Sequence, residues 1–370
     1  MINMIAFVLG TKAELIKTMP IMKELEKKGI EYYFIHTGQH LITDLIKDFR
    51  IKGPDITLYT PPKLSSRFMT KTHKAIFWGL DGILKISKEI RKIKPEFVCY
   101  HGDTLSTTMA AIASSNILNK NKKWKNAHLE AGLRSNDIFE PFPEEISRRI
   151  ADRFSDILFA VSKGAVKNLK KEKLGGKIVN VGNTIVDAAL LSLKIANKKF
   201  GKLKEKNFCL INIHRHENIK SKERLEKIVN IISNVNIPAY WPLHDNTKQQ
   251  LIKFGLMKKI EKKKNIKISK LLSYLKFIRL LANCKYLITD GGSIQEESLA
   301  FKKPCILLRV KTERDEGLKT GINFLTKLDV EYSKKLIQEI ENEKLKIAKF
   351  KNPYGDGKAS KRIVNYLLNL

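Results

Sequence analysis

Acidic side chains are concentrated in the stretch HLEAGLRSNDIFEPFPEEISRRIADRF, residues 128–154. Glu130 follows a short apolar run and precedes Gly132, where a carboxylate caps no obvious helix. Glu144 begins a helical pattern, and Arg148 follows one turn later. Carboxylates whose pKa is tuned by burial act as general acids and bases. The stretch is therefore predicted to present carboxylates for proton transfer, although a surface ion pair of Glu144 with Arg148 fits the spacing equally well.

Glycine and titratable residues recur wherever an apolar run ends. The endings are Gly10-Thr11-Lys12, Thr37-Gly38-Gln39-His40, His101-Gly102-Asp103-Thr104, Glu130-Ala131-Gly132, His214-Arg215-His216-Glu217, His244-Asp245-Asn246 and Asp290-Gly291-Gly292-Ser293. In parallel α/β sheets, ligands bind just outside the carboxyl ends of the strands. These residues are therefore predicted to line a binding site.

Short apolar runs alternate with amphipathic helical patterns along the whole chain. The predicted strands lie in 5–10, 31–38, 97–103, 125–132 and 156–162, and in a second series at 207–214, 237–244, 265–270, 285–292 and 303–310. Such alternation predicts parallel, doubly wound sheets. The pattern restarts near 171–184, so we expect an α/β protein with two Rossmann-like domains facing across a cleft. The expected domains are 1–175, onto which helix 355–370 packs back, and 176–354.

The chain is strongly basic, with 70 Lys and Arg and a formal net charge of +32. Nucleic acid, an anionic membrane surface or an acidic substrate would each suit this charge. The lysines are dispersed, however, and form no stripe with interleaved aromatic residues, so a nucleic-acid partner is not expected. No apolar run approaches the ~20 residues of a membrane span. Without a basic leader before the first strand, a cytoplasmic location is expected.

The four cysteines are widely separated and show no metal-ligand spacing. They are predicted to be buried free thiols in a reducing compartment, and no metal is expected. No Walker loop or GxGxxG motif occurs, so ATP and NAD are not indicated. The sequence therefore predicts no cofactor.

The stretch LITDGGSIQEE, residues 287–297, reads as a strand, a turn and a helix start. Gly291 and Gly292 would let backbone N–H groups approach a phosphate at the helix N-terminus. Glu296 lies too far into the helix to cap it and could bind ribose hydroxyls. A tight turn with ordinary helical acids explains the stretch about equally well.

The residues at other strand ends also have more than one possible role. In GTKAELIK, residues 10–17, Thr11 is expected to cap a helix, and Lys12 and Lys17 could bring cations to a site. For Lys17 alone, a solvent-exposed lysine is the better interpretation. Asp103 could act as an acid or cap the following helix. His214 could donate a hydrogen bond to a diphosphate.

Together these motifs resemble the non-hydrolysing UDP-N-acetylglucosamine 2-epimerases, which have the GT-B fold. The resemblance runs from Gly10 to about Leu325 and rests on GTKAELIK, TGQH, HGDT, HLEAGLRS, PFPEE, GNTIVDA, HRHEN, PLHDN, TDGGSIQEE and TERDE. It implies a UDP-sugar substrate, no metal or redox cofactor, and a homodimer. The implied reaction eliminates UDP to a 2-acetamidoglycal and adds it back after proton transfer at C2.

The resemblance also implies residue roles. Asp103, Glu130 and Glu144 match catalytic carboxylates, and His214 matches a histidine beside the diphosphate. Phe277 matches an aromatic residue on uracil, and Glu296 an acid on the ribose. Together with the strand-end residues, this gives the predicted substrate-binding set: Lys12, Lys17, Arg148, His244, Phe277, Gly291, Gly292, Ser293, Glu296 and Arg314.

Four positions depart from the family pattern. Lys12-Ala13 replaces Arg-Pro, and Gly291-Gly292-Ser293 replaces Ser-Gly-Gly. These two changes leave the identity of the substrate sugar open to modified sugars. His216 and Ile42 replace polar residues of a region that, in bacterial members, binds a second UDP-N-acetylglucosamine as an activator. These changes leave open whether this protein has such allosteric activation. The alternative functions are a GT-B glycosyltransferase, a hydrolysing 2-epimerase that releases N-acetylmannosamine, and a basic binder of nucleic acid or membrane.

Overall fold

The computed structural model describes residues 4–59, 71–135 and 143–370, except for the side chains of 71–76. Pro141 and Phe142 of the PFPEE stretch lie outside the described residues. The chain divides into two compact units: the described residues up to Ala188 together with Pro353–Leu370, and Ala189–Asn352.

The described part of the first unit contains a parallel sheet of seven strands. They are β1 (Ile5–Leu9), β2 (Tyr32–His36), β3 (Ile56–Thr57), β4 (Phe97–His101), β5 (Lys125–Ala131), β6 (Ile157–Ala160) and β7 (Lys177–Asn180). Their order is β3-β2-β1-β4-β5-β6-β7. The helices in the described part of the first unit are α1 (Lys12–Lys27), α2 (Thr43–Phe49), α3 (Lys71–Ile93), α4 (Leu105–Ser114), α5 (Glu144–Arg153), α6 (Lys163–Lys171), the start of α7 (Thr184–Phe200), and α16 (Ala359–Leu368).

The second unit repeats this design with six parallel strands in the order β10-β9-β8-β11-β12-β13. The strands are β8 (Cys209–Asn212), β9 (Ala239–Pro242), β10 (Ile266–Ser269), β11 (Tyr286–Thr289), β12 (Cys305–Leu307) and β13 (Asn323–Leu325). The helices are α8 (His216–Lys220), α9 (Lys222–Ile232), α10 (Asp245–Lys253), α11 (Met257–Glu261), α12 (Tyr274–Asn283), α13 (Ile294–Ala300), α14 (Asp315–Leu318) and α15 (Val330–Glu341).

Every strand run predicted from the sequence forms a strand. Central strands are buried on both faces, as in β1, where all five residues are inaccessible to solvent. The short strands β3, β7 and β13 carry weaker apolar signals and were not predicted. Because β7 pairs with β6, residues 177–180 lie in the first unit, whereas the sequence patterns assign 176–354 to the second domain.

In each sheet the strand order reverses between two central strands, so successive strands are added in opposite directions on either side. In the first sheet these are β1 and β4, and in the second they are β8 and β11. Such a switch point opens a crevice at the carboxyl ends of the two strands. The four cysteines are buried and free, as predicted. No helix among the described residues is long and apolar enough to cross a membrane.

Asp187 attaches the C-terminal helix α16 to the first unit. Its carboxylate accepts hydrogen bonds from the amides of Ala359 and Ser360 at 3.2 and 2.8 Å and from the Ser360 hydroxyl at 2.6 Å. These amides belong to the first turn of α16 and have no partner within the helix. A carboxylate from α7 therefore caps a helix that begins about 170 residues later.

Asp187→Ala should lower the free energy of unfolding by about 2 kcal/mol, because two buried amides lose their acceptor. Urea denaturation followed by circular dichroism measures the change. Asp356→Ala is the matched control. Asp356 precedes α16 and makes an exposed ion pair with Arg362 of that helix, so its loss should cost about 0.5 kcal/mol. Equal losses in the two variants would contradict the capping role.

Candidate functional site

Glu130 lies in a strained backbone conformation at the end of β5. Its φ is 73°, in the left-handed region that side chains other than glycine rarely adopt. The pairing of β5 with β6 shifts by one residue here, between Leu129 and Ala131. Strain of this kind costs about 1–3 kcal/mol and persists where the surrounding structure enforces it, often at functional sites. The bulge directs a nearly buried carboxylate away from the regular strand pattern.

Lys17 and Asn183 hold the Glu130 carboxylate. Lys17 Nζ donates to both carboxylate oxygens, at 2.8 and 2.7 Å, and Asn183 Nδ2 donates to Oε1 at 3.1 Å. Lys17 is 8% exposed, so its interpretation as a solvent lysine is wrong. The ammonium and the amide replace the water that the carboxylate loses on burial.

A neutral imidazole completes this group. His101 is fully buried, with Nε2 3.2 Å from Thr184 Oγ1 and Nδ1 3.8 Å from Glu130 Oε2. Burial lowers the pKa of His101 to about 3, although the Glu130 charge acts in the opposite direction. The ring is therefore uncharged at neutral pH, and its polar edge faces the carboxylate.

Asp103 lies on the turn next to Glu130. It follows Gly102, whose φ is 80°, and a Cβ on Gly102 would lie 3.3 Å from Glu130 Oε2. Thr104, not Asp103, caps α4 by accepting from the Thr107 amide. The capping interpretation of Asp103 is therefore wrong.

Arg148 occupies the position beside Asp103. Its NH2 donates to Asp103 Oδ2 at 2.5 Å, and its NH1 donates to Glu145 Oε2 at 3.3 Å. Arg148 is 4% exposed, so a surface ion pair does not describe it. Glu144 is half-buried at the first position of the same helix, α5. The first unit thus gathers Lys17, Glu130, Asp103 and Arg148, and Glu144 begins the helix that carries Arg148.

Lys12 begins α1 at the switch point of the first sheet, and its side chain is exposed. Glu14 organises this turn: its Oε2 accepts from the amides of Gly10 and Thr11, each at 2.7 Å. Its Oε1 accepts from the hydroxyls of Thr104 and Thr107 across the crevice. One buried carboxylate therefore joins the first turns of α1 and α4. The predicted Thr11 cap is confirmed.

In the second unit, Asp290 positions His214. The buried Asp290 carboxylate accepts from the amides of His214 and Arg215, at 2.9 and 3.0 Å, and from Asn218 Nδ2 at 3.0 Å. The His214 ring is exposed and stacks on His244, with centroids 4.6 Å apart. Burial, with the adjacent His214, lowers the pKa of His244 to about 4. The neutral His244 ring therefore packs against the solvent-exposed His214 ring.

The Gly-Gly turn lies beside a buried ion pair. Arg314 Nε donates to Oε2 of the fully buried Glu296 at 2.9 Å. A Cβ on Gly292 would lie 3.4 Å from Arg314 NH1. The Gly291 amide donates to Thr289 Oγ1 at 3.0 Å, so it is occupied within the turn. Ser293 makes no side-chain capping hydrogen bond to α13, which it precedes. The structure therefore brings the turn, Glu296 and Arg314 together.

Phe277 is half-buried on α12 and packs against the core cluster that contains Ile294, the first residue of α13. Among the described residues, no group of three or more His, Cys, Asp or Glu side chains could hold a metal ion.

Comparison with known proteins gives a consistent result. A family model described as UDP-N-acetylglucosamine 2-epimerase matches residues 23–368. A UDP-N-acetylglucosamine 2-epimerase of Methanocaldococcus jannaschii is 37% identical over 377 residues, which cover 98% of each chain. The chain belongs to the UDP-N-acetylglucosamine 2-epimerase family.

A solved structure and one further relative are also similar to this chain. The solved M. jannaschii UDP-GlcNAc 2-epimerase in complex with UDP-GlcNAc and UDP has a TM-score of 0.82 and 35% identity, covering 99% of this chain and 100% of that one. A UDP-2,3-diacetamido-2,3-dideoxy-D-glucuronate 2-epimerase of Pseudomonas aeruginosa is 32% identical, covering 98% of this chain and 99% of that one. The predicted α/β fold class, the family resemblance and the enzyme class, an epimerase, are confirmed.

Sequence reasoning missed several residues of these clusters. Glu14, Asn183 and Asp290 each hold a strand end or a candidate catalytic side chain, yet none was predicted to do so. Asn183 and Asp290 lie within the GNTIVDA and TDGG stretches, so the motifs contained the signal. For Glu14, which lies three residues after Thr11, the sequence pattern indicates only the acid of a helix-capping box.

Acid should unfold the protein partly through His101. Its folded-state pKa of about 3 lies below the ordinary value of 6.5, so the unfolded chain binds the proton more tightly. Through this residue alone, the free energy of unfolding should fall by about 1.4 kcal/mol per pH unit as the pH drops from about 6.5 towards 3. Urea denaturation at several pH values should show a shallower slope for His101→Gln. The exposed His216→Gln is the control, and equal slopes for His101→Gln and the wild type would contradict the assignment.

Proposed function

We propose that this family member interconverts UDP-N-acetylglucosamine and UDP-N-acetylmannosamine. A carboxylate takes the C2 proton as the bond from C1 to UDP breaks, which gives a 2-acetamidoglycal. UDP then adds back to C1 while a carboxylic acid protonates C2 on the other face, which inverts C2. The strained, buried Glu130 carboxylate, held by Lys17, is the observation that carries the proposal. The related M. jannaschii enzyme, whose structure is in complex with UDP-GlcNAc and UDP, supports this choice of substrate.

The reaction requires proton transfer at a weakly acidic carbon and stabilisation of a departing diphosphate. Asp103, Glu130 and Glu144 supply the acid and base groups in this proposal, because a positioned carboxylate can take up a proton and return it. Cations and hydrogen-bond donors stabilise the charge that develops on UDP. That role falls to His214, with Lys12, Lys17 and Arg148 as further cations. No cofactor takes part.

The remaining predicted residues bind the nucleotide in this proposal. Phe277 packs on uracil, Glu296 binds the ribose, and the Gly291–Ser293 turn with Arg314 and His244 lies near the diphosphate. The ion pair of Glu296 with Arg314 would hold the acid ready for a ribose hydroxyl.

Incubation with UDP-N-acetylglucosamine in deuterium oxide tests the reaction. NMR should show deuterium at C2 together with formation of UDP-N-acetylmannosamine. Free N-acetylmannosamine would indicate the hydrolysing reaction instead, and a need for an acceptor would indicate a glycosyltransferase. Exchange only with a 2,3-diacetamido sugar would assign the substrate type named for the P. aeruginosa relative. No exchange with any of these sugars would overturn the proposal.

Glu130→Gln should abolish this exchange while UDP still binds. The variant should also lose about 3–5 kcal/mol of stability, because Lys17 keeps a buried charge without its counter-ion. The double variant Lys17→Met with Glu130→Gln removes both charges, so it should recover stability and remain inactive. Retained exchange in either folded variant would show that Glu130 is structural. Glu223→Gln, in a surface ion pair, is the control that should keep full activity.

We further propose a cytoplasmic homodimer without a nucleic-acid partner. Phe77, Leu80 and Leu84 form an apolar stripe on α3, with 68%, 60% and 63% of their surfaces exposed. Residues at this spacing share one helix face, and a second copy of the chain would cover it. The buried free thiols suit a reducing compartment.

Light scattering should therefore give the mass of two chains for the wild type and of one chain for Leu80→Glu, since a charge at this position opposes burial of the stripe. Ile252→Glu introduces the same charge at an exposed apolar position on α10 and should remain dimeric. A monomeric wild-type protein would contradict the homodimer.

A further inference from the structure

His128 makes an unusual pair of contacts. It lies on β5 two residues before Glu130 and is fully buried. Its Nδ1 is 2.6 Å from Asp152 Oδ1, and its Nε2 is 2.8 Å from the Gly102 carbonyl oxygen. A carbonyl oxygen can only accept a hydrogen bond, so Nε2 carries a hydrogen.

Asp152 is an ionised carboxylate that also accepts from its other partners. Its Oδ2 accepts from the Gly132 amide at 3.3 Å and lies 2.7 Å from Arg134 NH2. Burial opposes its ionisation, but the Arg134 guanidinium at ion-pair distance and the Gly132 amide favour the charged carboxylate. Asp152 therefore has no proton to give to His128. Nδ1 must then carry a hydrogen as well, which makes the ring an imidazolium.

The surroundings stabilise this charge. The Tyr100 ring stacks on His128 with centroids 5.8 Å apart, a geometry that favours a cation over an aromatic face. Arg134 makes a bidentate ion pair with Glu172, at 2.7 and 2.8 Å. Asp152 therefore lies between two cations, His128 and Arg134, and Glu172 pairs with Arg134 and, at 3.3 Å, with Arg149. His101, the other buried histidine nearby, is neutral.

This cluster connects the elements that carry the three proposed catalytic carboxylates. Through His128, Asp152 holds the carbonyl of Gly102, the residue before Asp103. Directly, it holds the amide of Gly132, two residues after Glu130. Asp152 itself lies on α5, which begins at Glu144. Gly102 and Gly132 both have positive φ, 80° and 87°, so these two turns depend on contacts that hold them in place.

We propose that His128 is a doubly protonated imidazolium and that the His128–Asp152 pair is the device that positions the Asp103 and Glu130 turns against α5. Neither residue needs to touch the substrate. The kinetic part of this inference rests on the proposed epimerase function, whereas the protonation of the ring does not.

NMR of the histidine ring nitrogens tests the protonation directly. Protein labelled with 15N-histidine should show at neutral pH one ring with hydrogen on both nitrogens, and this signal should vanish in His128→Gln. A His128 ring with one nitrogen free of hydrogen would overturn the proposal. This measurement needs no substrate, so an inactive protein would refute the epimerase function and leave the ring protonation to be decided by NMR.

Kinetics test the positioning role. Asp152→Asn should lower kcat about 100-fold with little change in KM, because misplaced catalytic groups slow the chemistry more than binding. His128→Gln offers one N–H group instead of two and should fall between Asp152→Asn and the wild type. Wild-type kcat in either folded variant, checked by circular dichroism, would overturn the role.

Asp156→Asn is the matched control. Asp156 lies four residues after Asp152, between the end of α5 and the start of β6, and its carboxylate accepts from the Asn126 amide at the opposite end of β5 and from Lys122. It should lose stability while kcat stays within about threefold of the wild type, because β5 is disturbed far from its carboxyl end. A kcat loss equal to that of Asp152→Asn would show that any disturbance of β5 suffices, and would overturn a specific positioning role.

Discussion

A carboxylate inside a protein needs cations or hydrogen-bond donors to replace the water it has lost. Glu130 meets this condition through Lys17 and Asn183. Lys17 comes from α1, Glu130 from β5 and Asn183 from the loop after β7, so three distant segments must converge on one side chain. The strained backbone of Glu130 is tolerated because these contacts compensate for it.

Both units use a buried acid to join the two strand ends at the switch point. In the first unit, Glu14 connects the turn after β1 with the helix that follows β4. In the second unit, Asp290 at the end of β11 holds the backbone after β8. Each acid accepts from backbone amides at the strand ends, which satisfies donors that need a partner when buried. The chemistry of the site therefore depends on carboxylates that do not themselves react in the proposed mechanism.

The large positive charge of the chain contrasts with these buried acids. Surface lysines account for most of the formal charge of +32, whereas Glu14, Glu130, Asp152, Asp290 and Glu296 are all nearly or fully buried. Burial in a paired, hydrogen-bonded setting determines what a charged residue contributes, and composition alone does not report it. The excess of lysine suits an enzyme whose proposed substrate carries a diphosphate, since a positive surface raises the rate of encounter with anions.

The sequence by itself determined the α/β fold class, the ten principal strands and the family. Those features depend on local periodicity and on motifs whose residues are adjacent in the chain. Only the tertiary structure decided which charges are buried and paired: Lys17 reads as a solvent lysine and Arg148 as a surface partner until β5 and the Asp103 turn are placed beside them. The same holds for His128 and Asp152, whose hydrogen bonds join residues 24 and 26 positions apart. Pairing across such separations is set by strand order and helix packing, and a single sequence carries no local signal for it.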